Sequence, residues 1–255
     1  MFFVSFLYKA IYWYISTIDR KKEVLFMNYG YHDSTEEIKL HKMDEINRYS
    51  IQLYYRLAKM VDIHQKDIVE VGSGRGGGLA YITRAFTPAT ALGIDLNKKA
   101  AMFGNAYYKL KGLKFKQGNA QQLDVPNDSV DVVFNVESSH RYPKMNLFLD
   151  EVYRILKPGG HFMITDFRVK KEMDKLIALL AQYRFVKFDE QEINKEVVEA
   201  LKLDHLRRKD LINRYAPPFL RKAFRDFAGS QGSPTFNDIM SGEMVYFVFG
   251  FQKPF

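Results

Sequence analysis

The stretch from Asp67 to Gly78 constrains the fold more than any other, because a short apolar run is followed at once by five glycines. Such a run is typical of a buried strand, and glycines let the backbone after it turn tightly and approach a ligand closely. The glycine spacing also satisfies G-x-G-x-x-G, a pattern of nucleoside-cofactor loops. The sequence therefore predicts a strand, a cofactor-binding turn and a helix from Leu79 to Phe86. We expect these residues of the turn to contact the cofactor: Glu70, Gly72, Ser73, Gly74 and Gly76.

Strand and helix patterns alternate along the rest of the chain. The predicted strands are 67–72, 91–95, 113–117, 130–134, 161–165 and 245–252. This alternation predicts an α/β fold of three layers, in which helices cover both faces of a parallel sheet and the last strand is an antiparallel edge. Residues 168 to about 236 break the rhythm and look mainly helical, so we expect a helical substrate cap there. Residues 1–60 are predicted to form an N-terminal helical lid segment, and residues 61–255 the main domain.

Polar residues stand directly after the second and third predicted strands, where the ligands of such sheets bind. Asp95 ends the second strand, and its carboxylate suits the two ribose hydroxyls of a nucleoside, with Leu96 beside it. The alternative is that Asp95 caps the helix that follows. Asn119 and Ala120 follow the third strand in a turn that suits the edge of an adenine, and an ordinary asparagine turn is the alternative.

Two acids and an imidazole follow the fourth and fifth predicted strands. Glu137 and His140 come after the fourth strand, and Asp166 ends the fifth. A neutral imidazole can take a proton from a substrate hydroxyl near pH 7, so we expect His140 to be the catalytic base. Glu137 would orient the imidazole ring or bind the substrate hydroxyl, and Asp166 is the reserve candidate for the base. A structural role is the alternative for His140.

The composition excludes several classes of chemistry. The chain has no cysteine, which removes disulfide frameworks, thiolate metal sites and cysteine nucleophiles, and we expect no bound metal. The net charge of +8 suits an anionic partner, and residues 202–226 carry eight basic side chains against three acidic ones. An enzyme that modifies nucleic acid is nevertheless disfavoured. Such an enzyme would be expected to carry an Asn/Asp-Pro-Pro-aromatic motif after the fourth strand, where this chain has Asn135-Val-Glu-Ser.

The N-terminal segment, residues 1–18, is apolar and aromatic. It lacks the basic run and the cleavage site of a signal peptide, so we expect a cytoplasmic protein, and it is marginal as a membrane span. Its apolar residues fall near one helical stripe: Phe3, Phe6, Leu7, Ile11, Tyr14, Ile15 and Ile18. An amphipathic helix that packs on the core or over the active site is therefore predicted, with peripheral membrane contact as the alternative.

Taken in order, these motifs resemble those of the class I S-adenosylmethionine (SAM)-dependent methyltransferases. Glu70-Val-Gly-Ser-Gly-Arg-Gly76 resembles the first glycine motif of that family, Ile94-Asp95 its ribose carboxylate, Gly118-Asn-Ala120 its adenine turn and Leu156-Lys-Pro-Gly-Gly160 its turn after a helix. The resemblance implies a Rossmann-like fold and SAM as the cofactor. Asn119 departs from the family, which usually has an aspartate there; the change removes a charge and keeps a carbonyl acceptor.

A closer resemblance covers nearly the whole chain and is to the phthiotriol/phenolphthiotriol dimycocerosate methyltransferases. It rests on Met27-Asn-Tyr-Gly-Tyr31, Arg75-Gly-Gly-Gly78, the segment 135–143 and Gln231-Gly232. It implies O-methylation of a hydroxyl on a hydrophobic, lipid-like or small-molecule acceptor, with Asn135, Tyr29 and Tyr31 near the cofactor. Ordinary packing is the alternative for the two tyrosines. Transfer to carbon, as in sterol and tocopherol methyltransferases, is the main alternative function; an NAD(P) oxidoreductase and a non-catalytic lipid-binding protein are more remote.

Replacing Asp95 by alanine tests the ribose assignment. Because Asp95 should accept two ribose hydrogen bonds, we expect Asp95→Ala to weaken SAM binding by about 1.5–3 kcal/mol, or about 10- to 150-fold. Isothermal titration calorimetry measures the change, and an unchanged dissociation constant would contradict the assignment.

Overall fold

The computed structural model describes residues 2–19 and 21–255. The side chains of residues 2–6 and 9 lie outside this description, and with them the predicted stripe positions Phe3 and Phe6. The strands are β1 (Asp67–Val71), β2 (Thr90–Asp95), β3 (Leu113–Gln117), β4 (Val130–Val136), β5 (Leu156–Val169), β6 (Val186–Glu192) and β7 (Met244–Gln252). The α-helices are α1 (Phe2–Ile18), α2 (Arg48–Ala58), α3 (Gly77–Phe86), α4 (Lys98–Tyr107), α5 (Met145–Ile155), α6 (Lys170–Leu180), α7 (Asn194–Leu203), α8 (His205–Tyr215), α9 (Arg221–Phe227) and α10 (Pro234–Ser241).

The strands of the described residues form one sheet, in the order β3-β2-β1-β4-β5-β7-β6. The neighbours from β3 to β5 pair in parallel, and β7 runs antiparallel to β5. β5 is longer than the predicted 161–165, because Leu156 already pairs with Val130 and the pairing with β7 extends to Val169. The predicted α/β, Rossmann-like fold with a mostly parallel sheet and an antiparallel last strand is confirmed.

The edge of the sheet differs from the prediction. β6 pairs antiparallel with β7 on its outer side, so the last strand of the chain is an inner strand. β6 also falls inside residues 168–236, which the sequence predicts to be mainly helical. Almost every residue of β6 is exposed, and Lys187 and Glu190 place charges along it, as edge strands do to avoid further pairing. Such a strand lacks the apolar alternation by which strands are recognised in a sequence, which is why the prediction missed it.

Alternate residues of β4 hold helices on both faces of the sheet. Val132 and Phe134 face a cluster of buried side chains that includes Leu79 of α3, whereas Val133 faces a second cluster that includes Phe148 of α5. None of these five side chains is more than 1% exposed. Burying one side chain of this kind contributes about 1.5–3 kcal/mol. The period-two alternation of one strand therefore produces the three layers.

The first helix packs against two helices of the cap. Ile11 and Ile15 of α1 are buried with Ile212 of α8 and Phe224 of α9, in a cluster separate from those of the sheet. Leu7, Ile11 and Ile15 of the predicted stripe thus face protein, whereas Tyr14 is 39% exposed. Within the described part of the chain, the helices are too short or too polar to cross a membrane.

Candidate active site

A cavity of about 500 Å³ lies at the carboxyl ends of β1, β2 and β4. This volume is within the range of about 300–1,000 Å³ that is usual for small-molecule sites. The strand-end loops form one wall, and α1, residues 25–28 and Phe227 of α9 form the other. The predicted site residues on the wall are Gly72, Ser73, Gly74, Asp95, Leu96, Asn119, Ala120 and Glu137.

The loop after β1 needs glycine for its conformation and for its contacts. Gly72, Gly74 and Gly76 have positive φ angles of 81°, 53° and 84°, a region that side chains with a Cβ atom disfavour. A Cβ atom on Gly72 would lie 2.2 Å from Ser138 Oγ, so this loop and the loop after β4 touch. A Cβ atom on Gly74 would stand in the space before α1, with the Tyr12 hydroxyl at 3.9 Å as its nearest neighbour. Gly76 does not reach the wall and serves the turn into α3.

Three donors from three parts of the chain hold the carboxylate of Asp95. Its Oδ2 accepts the N–H of Gly74 at 2.8 Å, and its Oδ1 accepts the N–H of Asn97 at 2.8 Å and the hydroxyl of Tyr12 at 3.1 Å. Burial raises the pKa of Asp95 above its ordinary value, although these hydrogen bonds act to lower it. Asn97 caps α4 by accepting the N–H of Lys99. Asp95 is therefore not the side chain that caps this helix.

Asn119 and Ala120 lie on the wall in the turn after β3. Asn119 Oδ1 accepts the N–H of Gln121 at 3.0 Å, so one lone pair of the side-chain carbonyl stabilises the turn itself. The structure thus shows the asparagine turn, and because an amide oxygen has a second lone pair, the adenine contact of Asn119 stays a prediction.

Asn135 lies behind the wall and positions residues that are on it. Its Nδ2 donates to Val71 O at 2.8 Å and to Ser138 Oγ at 2.9 Å, and Ser138 Oγ lies 2.8 Å from the hydroxyl of Tyr142. Ser138 and Tyr142 both line the cavity. Asn135 thus positions Ser138 and Tyr142, which line the cavity, and does not itself line it.

Glu137 is a partly buried acid with an unusual backbone conformation. Its φ angle is +44°, which costs a residue other than glycine about 1–3 kcal/mol. Its Oε1 accepts the N–H of Tyr29 at 2.7 Å and the hydroxyl of Tyr246. Burial raises the pKa of Glu137 to about 8, although both hydrogen bonds act to lower it. The side chain is thus mostly protonated at neutral pH and places little negative charge on the wall.

Asp166 is the centre of a buried polar cluster and lies within β5, which continues beyond the predicted strand end to Val169. Its Oδ1 lies 2.7 Å from His140 Nδ1, and its Oδ2 accepts the hydroxyl of Ser139 at 2.6 Å and lies 3.2 Å from Arg168 Nη1. Burial alone would raise the pKa of Asp166, but the charges of His140 and Arg168 and these hydrogen bonds hold it well below its usual range. Asp166 is therefore an anion that fixes His140, and it does not line the cavity.

His140 stands one residue away from the wall. Its ring packs on Phe167 with the ring centres 4.3 Å apart, and its Nε2 lies 3.0 Å from Nε of Arg141, which does line the cavity. Burial lowers the pKa of His140 and outweighs Asp166, which acts to raise it. Because Asp166 accepts the proton of Nδ1, Nε2 carries the lone pair, and Arg141 donates to it. The neutral imidazole thus has an acceptor nitrogen, Nε2, as a base requires, and the guanidinium of Arg141 covers that nitrogen.

Several predicted contacts with the cofactor belong to the core instead. Tyr29 stacks on Phe167 at 5.4 Å between ring centres, and Tyr31 is 5% exposed away from the cavity. The structure therefore favours the packing alternative for both tyrosines. Glu70 is fully buried behind the glycine loop, where its Oε1 accepts the hydroxyl of Tyr54 at 2.7 Å.

The sequence reasoning missed the residues that cover the cavity. Tyr12 and Trp13 of α1, Phe26, Arg141 and Phe227 all lie on the wall. Two features of the sequence pointed towards them: the N-terminal segment is rich in aromatic residues, and Arg141 directly follows His140. Neither feature shows what these side chains contact, because the contacts that place them join distant parts of the chain.

Comparison with known proteins identifies the family. A family profile described as methyltransferase domain matches residues 69–164. The chain is 37% identical to a fatty-acid O-methyltransferase of Mycolicibacterium smegmatis, over 96% of this chain and 89% of the relative. It is 38% identical to a phthiotriol/phenolphthiotriol dimycocerosates methyltransferase of Mycobacterium leprae, over 91% of this chain and 86% of the relative.

A solved structure gives the same fold. Geranyl diphosphate C-methyltransferase from Streptomyces coelicolor, in complex with Mg²⁺, geranyl diphosphate and S-adenosylhomocysteine (SAH), superposes with a TM-score of 0.69 at 15% identity, over 96% of this chain and 97% of that chain. The chain therefore belongs to the SAM-dependent methyltransferase family that contains the two mycobacterial relatives. It is a methyltransferase, and SAM is its cofactor.

The residues of the cavity fit this cofactor. The space before Gly74 is open, with the Tyr12 hydroxyl 3.9 Å from a Cβ position as the nearest atom, and Asp95 offers a carboxylate at the end of β2. The hydroxyl of Ser73 is buried on the wall and has no hydrogen-bond partner among the described residues. The open loop suits a nucleoside, the carboxylate suits its ribose hydroxyls, and the hydroxyl of Ser73 is free to bind a ligand. These features together suit SAM.

Tyr12 occupies one of the acceptor positions of Asp95, the residue that is predicted to bind the ribose. Each carboxylate oxygen accepts about two hydrogen bonds, and Oδ1 of Asp95 already accepts two, from Asn97 and Tyr12. We expect Tyr12→Phe to remove a competitor of the ribose and to tighten SAM binding about 2- to 10-fold, the worth of one net hydrogen bond. Calorimetry with Tyr14→Phe as the control, an exposed tyrosine of the same helix, measures this. Weaker binding in Tyr12→Phe would show that the hydroxyl is a cofactor ligand.

Glu70 should make stability depend on pH. Burial raises its pKa to about 8, from 4.5 for a free glutamate, so the folded protein holds a proton that the unfolded chain releases. Its stabilising contribution is fully present below about pH 4.5 and is lost as the pH rises to about 8, by up to about 1.4 kcal/mol per pH unit. Glu70→Gln cannot titrate, so wild type should lose stability relative to this variant between those pH values. Urea unfolding measures this, with exposed Glu190→Gln as the control; a difference that does not change with pH would contradict it.

Proposed function

We propose that the chain transfers the methyl group of SAM to an oxygen atom of a hydrophobic, lipid-like acceptor. The observation that carries the proposal is the second wall of the cavity, which is built from apolar side chains such as Trp13, Leu25, Phe26 and Phe227 next to the glycine loop. An apolar wall excludes water from the reaction and suits an aliphatic acceptor. The names of both mycobacterial relatives, a fatty-acid O-methyltransferase and a phthiotriol/phenolphthiotriol dimycocerosates methyltransferase, support acceptors of this kind.

Most of the rate enhancement should come from alignment. When bound, SAM supplies a methyl group on a positively charged sulfur, which is already activated for transfer. The protein therefore needs to hold the acceptor oxygen in line with that group and to keep water out. The lid segment, residues 1–60, and the cap within about 168–236 would do this, because α1, residues 25–28 and Phe227 cover the cavity.

A hydroxyl acceptor would also require a base. His140 is the candidate, because Asp166 holds the tautomer in which Nε2 can accept a proton. Arg141 would have to move off Nε2 first. Glu137 is a weaker candidate, since its raised pKa leaves it protonated, but it lines the cavity and could bind the hydroxyl. A carboxylate acceptor is already ionised at neutral pH and would need no base.

A panel of acceptors tests the proposed function. The chain is incubated with SAM and either decanoic acid, decan-1-ol or an alkylphenol, and SAH release and product mass are measured. A methyl ester or a methyl ether is the expected product. If SAM binds but none of these compounds is methylated on oxygen, the proposed acceptor class is wrong.

His140 should matter only for acceptors that must lose a proton. We expect His140→Ala to lower kcat on a hydroxyl acceptor by about 100-fold, with SAM affinity unchanged, because general-base help is worth about 10²–10⁴-fold. Activity on a carboxylate should be nearly unchanged. The exposed His64 provides the control variant His64→Ala. A loss of less than about threefold on a hydroxyl acceptor would show that His140 is structural.

We propose in addition that the surface beside α1 touches membranes. Tyr14 is 39% exposed and packs on Phe224 of the cluster that joins α1 to the cap. Phe219 is 84% exposed and precedes Leu220, which packs against the same cluster. Arg221 and Lys222 follow Phe219 and are exposed, so that apolar and basic groups stand together as in interfacial binding.

Point variants test this contact better than truncation, because removing α1 would expose its buried partners in the cap. We expect Phe219→Ser to reduce flotation with anionic vesicles and to leave SAM affinity intact. Met43→Ser, at a position 77% exposed before α2, is the control. Equal flotation of both variants and wild type would refute the contact.

A further inference from the structure

Arg141 places a cation without an anionic partner on the wall of the cavity. It is exposed, lines the cavity, and has its guanidinium carbon 5.7 Å from the ring centre of Phe227 in the cap. Among the described residues it forms no ion pair with an acid, and the residues outside the description include no Asp or Glu. Its Nε–H group donates to His140, which is neutral. The remaining N–H groups of the guanidinium can therefore serve a ligand.

The other charged groups of the wall are balanced. Arg75 pairs with Asp19 at 3.1 Å, and both side chains are almost fully buried. Asp95 accepts three hydrogen bonds and lies on the side of the cavity where the ribose is expected. Glu137 is mostly protonated at neutral pH, because burial raises its pKa to about 8. The charge of Arg141 also acts to lower the pKa of Asp95, so an anion beside Arg141 would meet a cation and, among the acids of the wall, repulsion mainly from Asp95.

The same arrangement leaves no base ready for a hydroxyl. His140 is off the wall, and the lone pair of its Nε2 faces the N–H of Arg141. Using His140 as a base would require Arg141 to leave and the acceptor to reach past the wall. An acceptor that arrives ionised needs neither step, and a planar carboxylate matches the fork of a guanidinium.

We propose that Arg141 binds the carboxylate of an aliphatic carboxylic acid, and that this acid is the acceptor of the methyl group; this rests on the proposed function. The apolar side chains beside Phe227 would hold the alkyl chain. A carboxylate oxygen forms the bond to the methyl carbon as the carbon–sulfur bond breaks and its electron pair returns to sulfur. No proton is transferred, and the products are a methyl ester and SAH.

Direct binding tests the site without turnover. Trp13 lines the cavity and is the only tryptophan in the sequence, so its fluorescence reports ligands there. Decanoic acid and decan-1-ol, each below its aggregation limit, are titrated into wild type, Arg141→Gln, Arg141→Lys and the control Arg184→Gln, an exposed arginine between α6 and β6. Arg141→Gln should weaken decanoate binding about 10- to 100-fold, the worth of charge-assisted hydrogen bonds, and leave decanol unchanged. Arg141→Lys should restore part of the loss.

Two results would overturn the proposal. The first is that wild type binds decanol as tightly as decanoate. The second is that Arg141→Gln weakens SAM binding in calorimetry and leaves decanoate binding unaffected. That second result would assign the guanidinium to the aminoacyl carboxylate of SAM. Failure of the proposed function looks different. In that case decanoate binding would still depend on Arg141, but wild type with SAM would release SAH with neither acid nor alcohol.

Discussion

Three hydrogen bonds to the carboxylate of Asp95 join the parts of the molecule on which the site depends. They come from the glycine loop after β1, from the start of α4 and from the lid helix α1. A carboxylate offers only about four acceptor positions, so the side chain that is predicted to bind the cofactor ribose also holds α1 in place. We therefore expect the position of α1 and the occupancy of the cavity to be coupled at Asp95.

Buried charged side chains hold α1 and the segment after it in place through other contacts. Asp19 pairs with Arg75 of the glycine loop and also accepts the N–H of Val24 at 2.9 Å. Arg208 of α8 donates to the backbone carbonyls of Asn28 and Tyr29, each at 3.0 Å. Removing one partner of a buried ion pair costs about 3–5 kcal/mol, which makes these contacts hard to break. Replacing the hydrogen bond from Tyr12 to Asp95 by one from a ribose hydroxyl would cost much less free energy.

The sequence predicts those site residues whose positions follow from local patterns of strand, turn and helix. It does not predict those whose positions depend on contacts between distant parts of the chain. The glycine loop, Asp95 and Asn119 are recognisable because a strand, a turn and a helix follow one another within a few residues. Strand ends of a parallel sheet meet, so His140 and Asp166 could be grouped from topology alone. Tyr12 and Asp95 are separated by 83 positions, and their hydrogen bond depends on how the lid packs on the cap. Nor could the sequence show that Arg141 stands between His140 and the cavity, because that depends on side-chain orientation.

The decisive measurement is a crystal structure of the chain with SAH, because it shows where the cofactor lies and what moves to admit it. We expect the adenosine ribose on the carboxylate of Asp95, the glycine loop against the aminoacyl part, and the hydroxyl of Tyr12 displaced from Oδ1. SAH bound elsewhere, or bound with Tyr12 still on Asp95 and the ribose hydroxyls held by other groups, would contradict this expectation.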